Sequence, residues 1–231
     1  THAMSYFSQT ALVMEKTSGI EMFRLIEALD DDFEAHKEEL VKNLKLTAKS
    51  LFRAENLMLD YTAEEKGYDR IPTLLAELKK ELYTEPVEKE IFDVKPLRKN
   101  EGFFTAGQIQ YVCRAGKKKK KGLPYTGALR VLRTMMGYDY LWMNVRVKGG
   151  AYGCMSSFSR VGDCYFVSYR DPNLLKTIDV YMGAADYLRN FKADERELTK
   201  YIIGTISDMD IPLNPQAKGE RSLVSYLCNY E

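Results

Sequence analysis

Histidine is almost absent: His2 and His36 are the two in 231 residues. A zinc site built from this chain alone would need carboxylates or lone thiols, and histidine-assisted nucleophilic catalysis would rest on His36. That residue stands in Glu34-Ala35-His36-Lys37-Glu38-Glu39, a charged helical stretch that reads as solvated surface. Cysteine is sparse too. Cys113, Cys154, Cys164 and Cys228 are scattered with no C-x-x-C pair, which excludes the common zinc and redox motifs and fits reduced thiols in a cytoplasmic location. No window approaches the roughly 18 consecutive apolar residues of a membrane span. Charge of one sign is missing as well: 34 Lys+Arg against 33 Asp+Glu leave a net charge of +1. Neither nucleic acid nor a membrane surface is therefore expected as a partner. The opening Thr1-His2-Ala3, ahead of Met4, lacks the basic head and apolar stretch of a signal peptide and reads as a cloning remnant, outside the fold reasoning.

What the chain does have is a globular composition, 45% hydrophobic and 29% charged. Residues 18–53 read as helix, with capping-box spacing at Ser18/Glu21 and Asp31/Glu34 and an apolar stripe through Phe33, Leu40, Val41, Leu44, Ala48 and Leu51. The run Leu57-Met58-Leu59 suits a short buried strand. A further helix carries Ile71, Leu74, Leu75, Leu78 and Leu82, with Pro72 tolerable in its first turn. Pro86 and Pro96 among alternating charges then mark a linker. Residues 1–93 accordingly read as the mostly helical remainder of one domain, and 94–231 as a second.

In that second part, residues 103–113 read as a strand, 126–140 as a helix, and 151–159 with 164–169 as a hairpin turning at Val161-Gly162-Asp163. Asp171-Pro172-Asn173 reads as the N-cap and first turn of a helix, Asp194/Glu197 caps another, and a last helix spans 216–229. The predicted class is α+β: a largely antiparallel sheet with helices packed on one face, preceded by a mostly helical partial domain. Lys117 to Lys121, bracketed by Gly116 and Gly122, invites a phosphate-binding story but also reads as a solvated loop.

The densest constellation is Asn144-Val145-Arg146-Val147-Lys148-Gly149-Gly150-Ala151-Tyr152-Gly153. A helix hands over to a strand through two glycines, with Arg146 just before the turn and Tyr152 just after it. Glycines admit close backbone approach, and an arginine and a tyrosine offer fixed donors to a carbonyl or an oxyanion. A glycine-capped helix end with a surface arginine and a strand tyrosine fits the same spacing. The glycines do not form a dinucleotide fingerprint, because strand-turn-helix order is missing.

Arg146-Val147-Lys148-Gly149-Gly150-Ala151-Tyr152-Gly153, followed by Ser168-Tyr169-Arg170-Asp171-Pro172-Asn173, resembles the C-terminal half of the presequence-protease branch of insulinase-type (pitrilysin-like) zinc peptidases. Ser207-Asp208-Met209-Asp210-Ile211-Pro212 with Lys218-Gly219 fits the same region. The resemblance implies LuxS/MPP-like metallopeptidase domains that close around an unstructured peptide substrate. It gives Arg146 a substrate main-chain carbonyl, Tyr152 the scissile carbonyl and its oxyanion, and the Gly149-Gly150 turn a close approach of backbone. The zinc of such enzymes sits on an inverted His-x-x-Glu-His motif that this sequence lacks. The chain is therefore expected to bind no zinc itself and to be inactive alone, with the N-terminal half of the same polypeptide as its partner. A non-catalytic peptide-binding or assembly domain of an inactive homologue is the alternative.

Overall fold

The computed structural model describes residues 1–88, 91–99, 101–104, 106–118, 122 and 124–230. Lys119, Lys120 and Lys121 of the lysine run lie outside the described residues, as do parts of the expected linker and of the strand expected at 103–113. Packing divides the chain into two compact units. One comprises Thr1–Leu25 with Asp93–Asp210, the other Ile26–Phe92 with Ile211–Glu231.

The first unit is built on a three-stranded antiparallel sheet in the order β1-β3-β2. Its strands are β1 (Gln110–Lys117), β2 (Gly153–Phe158) and β3 (Asp163–Asp171). The hairpin falls where the sequence predicts, with Gly153 opposite Tyr169 and Phe158 opposite Cys164. Gly162, at φ 95°, makes the turn possible, since a side chain rarely adopts that conformation. The first strand begins later than its alternating pattern suggests, because Gln110 faces Asp171 and the register shifts before Val112. Helices α1 (His2–Ser5) and α2 (Gln9–Ser18) precede the sheet, and α6 (Ala128–Met135), α7 (Leu175–Asn190) and α8 (Glu195–Met209) surround it. This is the expected α+β class. His2, left out of the fold reasoning, contacts Glu15 at 2.8 Å and the Tyr6 hydroxyl at 2.8 Å.

Apolar burial is concentrated behind β1 and β3. Val112, Leu141, Val145, Ala151 and Tyr181 form one cluster, and Met135, Met136, Ala184 and Tyr201 a second. Both draw on the segment after α6. The sequence there reads as a plain helix to residue 140, yet Met136–Val147 is a π-helix, continuous with α6. Such wide turns are rare, and their extra residue per turn changes which side chains share a face. Here Met136, Leu141 and Val145 all point inward.

Asp171 is a correction. It does not cap α7, which begins four residues later with Leu174 at the cap position. Instead Asp171 ends β3 fully buried, its carboxylate accepting from Ser168 Oγ at 2.5 Å, Thr177 Oγ1 at 2.8 Å and the Asn173 N–H at 2.8 Å. A buried carboxylate is tolerable only when its lone pairs are so occupied. Asp194 does cap α8, accepting from the Glu197 N–H at 2.7 Å.

The second unit carries most of α3 (Ile20–Asp31), all of α4 (Phe33–Leu51) and α5 (Ile71–Glu81), and α9 (Pro215–Cys228). Two sequence expectations fail here. The long helix is broken: Ser18 turns its hydroxyl back onto the Met14 carbonyl at 2.8 Å and ends α2, and Asp32, not Asp31, caps α4. Leu57-Met58-Leu59 is no strand but irregular chain, with Met58 and Leu59 exposed. Pro72 does sit in the first turn of α5. None of α3, α4 and α5 buries a residue. Gly219 is buried in α9 because the chain at Thr62 crosses it, where a β-carbon would lie 2.2 Å from Thr62 Oγ1.

Replacing Asp171 by Ala strands two hydroxyls and one N–H in the interior. Urea unfolding of the variant should show a loss of about 3 kcal/mol. A loss below about 1 kcal/mol would show that these donors find other partners.

Candidate functional site

Arg146 lies one residue before the end of the π-helix, and Tyr152 one residue before β2. The turn between them closes through an N–H···O bond from Gly150 to the Arg146 carbonyl at 2.8 Å, an αL cap with Gly150 at φ 80°. Gly149 is needed for a different reason. A β-carbon there would stand 2.4 Å from the Val145 carbonyl oxygen, a backbone atom that cannot step aside. From the other direction Asn173 Nδ2 donates to the Gly149 carbonyl at 2.5 Å. The turn is thus tied to the segment that follows β3.

Arg146 and Tyr152 are brought together. The guanidinium Nη1 donates to the Tyr152 carbonyl at 2.5 Å, and its carbon lies 5.7 Å from the Tyr152 ring centroid. Four residues back, the Trp142 ring takes the flat face of the same guanidinium at 4.2 Å. Cation–π stacking of this kind holds a planar cation in one orientation while leaving its edge donors available. Tyr152 is 58% exposed, so its phenol reaches solvent.

Two residues not assigned to the site from sequence complete its surroundings. Arg170 has φ 48°, a left-handed backbone that few non-glycine residues adopt. Its carbonyl accepts the Tyr152 N–H at 3.3 Å, and its guanidinium lies 5.5 Å from the Tyr152 ring. Tyr169 meets Tyr152 edge-to-face at 5.6 Å. That contact exists because Gly153, its cross-strand partner, has no side chain: a β-carbon would fall 2.4 Å from the Tyr169 ring. The readable signal was the glycine after Tyr152, paired through the hairpin register with an aromatic.

Cys154 lies on the same strand. Burial pushes its thiol up to about 11, with the Asp171 carboxylate adding to the rise and Arg146 opposing it. The resemblance to zinc peptidases raises the question of metal ligands, and the donor set does not fit. His2 and His36 fall in different units, and among the described residues no three His, Cys, Asp or Glu side chains gather. The chemistry open to this site is hydrogen-bond donation by a fixed guanidinium and an exposed phenol.

An α+β domain with an arginine and a tyrosine on a glycine turn is the class that the geometry defines. The family described as the PreP C-terminal domain matches residues 100–231, and the chain belongs to that family. It is 38% identical over 227 residues to Protein HypA of Clostridium perfringens, covering 98% of this chain and 23% of that protein. Presequence protease 1, chloroplastic/mitochondrial, of Arabidopsis thaliana is 33% identical over 92% of this chain and 20% of its own length. Presequence protease, mitochondrial, of Eremothecium gossypii is 27% identical over 94% of this chain and 23% of its own length. The chain spans about a fifth to a quarter of these curated relatives.

Trp142 is the single tryptophan and reports on the site directly. Arg146→Met should change the intensity and position of its emission while leaving far-UV circular dichroism intact. Unaltered emission would mean that the guanidinium does not rest on the indole. The Cys154 thiol gives a pH test. Its folded pKa is raised, so its contribution to stability is present at neutral pH and is lost as pH rises from about 9 towards 11. Alkylation followed by mass spectrometry at pH 8 should label the exposed Cys228 well before Cys154; equal rates would contradict that burial.

Proposed function

We propose that this chain is the substrate-enclosing C-terminal part of a zinc-dependent endopeptidase that degrades unstructured peptides. The observation that carries the reading is the Arg146–Tyr152 pair, locked on the Gly149-Gly150 turn in a chain whose relatives include presequence proteases. Zinc is carried by the N-terminal half of the same polypeptide, since the donors here do not suit it. In this reading residues 1–93 are the helical remainder of a preceding peptidase domain and 94–231 the C-terminal domain. The start of the family match at residue 100 and the change of compact unit at Asp93 support that boundary, while Thr1–Leu25 and Ile211–Glu231 each pack with the unit across it. The helices α3, α4 and α5, which bury no residue of their own, suit a domain completed by chain outside this sequence.

Each residue's role follows from its donors. Arg146 offers a guanidinium edge to a main-chain carbonyl of the bound peptide, while Trp142 and the Tyr152 carbonyl fix its plane. The Tyr152 phenol donates to the scissile carbonyl and more strongly to the oxyanion that forms from it. Gly149 and Gly150 keep that surface free of side chains, so that an extended peptide can lie close. The Cys113, Cys154, Cys164 and Cys228 thiols are all unpaired, which supports a reducing compartment. The cytoplasm meets that condition, and so do the mitochondrial and chloroplastic locations named for the relatives.

In the intact parent, Tyr152→Phe should lower kcat about 100- to 1000-fold with little change in KM, because the oxyanion exists only in the transition state. Steady-state hydrolysis of a quenched fluorescent peptide measures both. This chain alone, given zinc, should be silent in that assay, and mixing with the separately expressed N-terminal half should restore cleavage. Unchanged kcat in a folded Tyr152→Phe parent would remove Tyr152 from catalysis and favour a peptide-holding role.

A further inference from the structure

The backbone of Arg170 sits at φ 48°, in the left-handed region. A β-carbon is disfavoured there, and glycine is the residue that the conformation selects. The chain does use glycine for left-handed backbone at Gly150 and Gly162, with φ 80° and 95°. At residue 170 it carries an arginine instead, a long side chain at a position where the backbone alone favours none. A strained non-glycine residue beside a candidate site points to work done by its side chain.

That work is neither packing nor charge pairing. Arg170 is exposed, although it stands between the half-buried Tyr169 and the fully buried Asp171. Among the described residues no carboxylate pairs with its guanidinium. The carboxylate of its neighbour Asp171 is already taken by Ser168, Thr177 and the Asn173 N–H. The guanidinium instead lies 5.5 Å from the centroid of the Tyr152 ring, within the range of a cation–π contact. The Arg170 carbonyl accepts the Tyr152 N–H at 3.3 Å, so one residue meets Tyr152 through both backbone and side chain. Arg146 reaches the same ring at 5.7 Å, but its guanidinium is also committed to the Trp142 ring and the Tyr152 carbonyl. Arg170 is free of such commitments among the described residues.

We propose that Arg170 is a positioning residue for Tyr152: its guanidinium holds the ring by cation–π attraction and leaves the phenol hydroxyl open to a peptide carbonyl. The consequence for turnover rests on the peptidase reading of Tyr152, whereas the hold on the ring does not.

Arg170→Gly separates the two parts of the residue, because glycine keeps the left-handed backbone and the carbonyl while removing the guanidinium. Its urea midpoint should be no lower than that of the unsubstituted chain, which shows that the variant folds. Fluorotyrosine labelling of the 231-residue chain makes the hold visible by fluorine NMR, the Tyr152 resonance being identified by its loss in Tyr152→Phe. R170G should shift and narrow that resonance, and R170K, which keeps a cation, should return it part of the way. An unmoved resonance would overturn the proposal. In the intact parent, R170G should lower kcat about 10-fold with KM little changed, and R170K should recover part of the loss. In a parent that already carries Tyr152→Phe, R170G should change kcat less than about 2-fold, since a positioning residue has no effect once its target is gone. Equal losses in the two backgrounds, or a shifted resonance with unchanged kcat, would also overturn it. Should Tyr152→Phe alone leave kcat unchanged, the peptidase reading of Tyr152 fails, and the NMR comparison still decides the hold on the ring.

Discussion

The site hangs on one buried carboxylate. Asp171 gathers Ser168 of β3, the backbone of Asn173 and Thr177 of α7 onto two oxygen atoms. By fixing Asn173 it also sets the reach of the Asn173 side chain to the Gly149 carbonyl. One residue earlier, Arg170 takes its left-handed backbone and presents its carbonyl to the Tyr152 N–H. The strand end, the start of α7 and the glycine turn therefore share one polar anchor. A charged group in the interior costs several kcal/mol unless it is fully paired, so this arrangement has few tolerable alternatives. That intolerance makes it a precise support for the pair beside it.

The π-helix supplies the second constraint. In Met136–Val147, Leu141 and Val145 lie in one core cluster while Trp142 and Arg146 share the outward side. The backbone stays in register through the wide turn, the Lys148 N–H still reaching the Met143 carbonyl at 3.0 Å. Arg146 thereby leaves the helix already oriented, stacked below by Trp142 and bonded ahead to the Tyr152 carbonyl. A side chain held at both ends loses little rotamer entropy when it meets a ligand, and that preorganisation suits the carbonyl-binding role proposed for Arg146.

Local rules made much of this legible in the sequence. The hairpin, the Asp194 cap and Pro72 in a first turn each follow from one residue's backbone preference, and those preferences survive packing. The glycine turn with its flanking arginine and tyrosine was visible because glycine marks backbone constraint. Three features stayed hidden because tertiary structure decides them. Ser18 and Asp31 look like caps, but Ser18 bonds backwards and the chain restarts one residue later, at Asp32. Asp171 reads as a cap, yet its oxygens are claimed by a strand serine and a helix threonine whose approach no spacing rule encodes. The π-helix has no compositional signature, since its apolar pattern matches that of an ordinary helix over two turns.

The pairing of Gly153 with Tyr169 carries the argument one step further. Tyr152 is exposed, and an exposed tyrosine on a strand end would ordinarily sample several rotamers. Here the missing side chain at Gly153 lets the Tyr169 ring lie across the sheet and meet the edge of Tyr152, while Arg146 and Arg170 stand at 5.7 Å and 5.5 Å from the same ring. Among the described residues, the phenol is thus restrained by contacts to its ring and not to its hydroxyl. The role proposed for Tyr152, donation to an incoming carbonyl, calls for a phenol held in that way, since any fixed partner on the oxygen would have to be displaced first. The glycines on either side of Tyr152 therefore act together: Gly149 and Gly150 shape the turn that carries it, and Gly153 makes room for the ring that steadies its phenol.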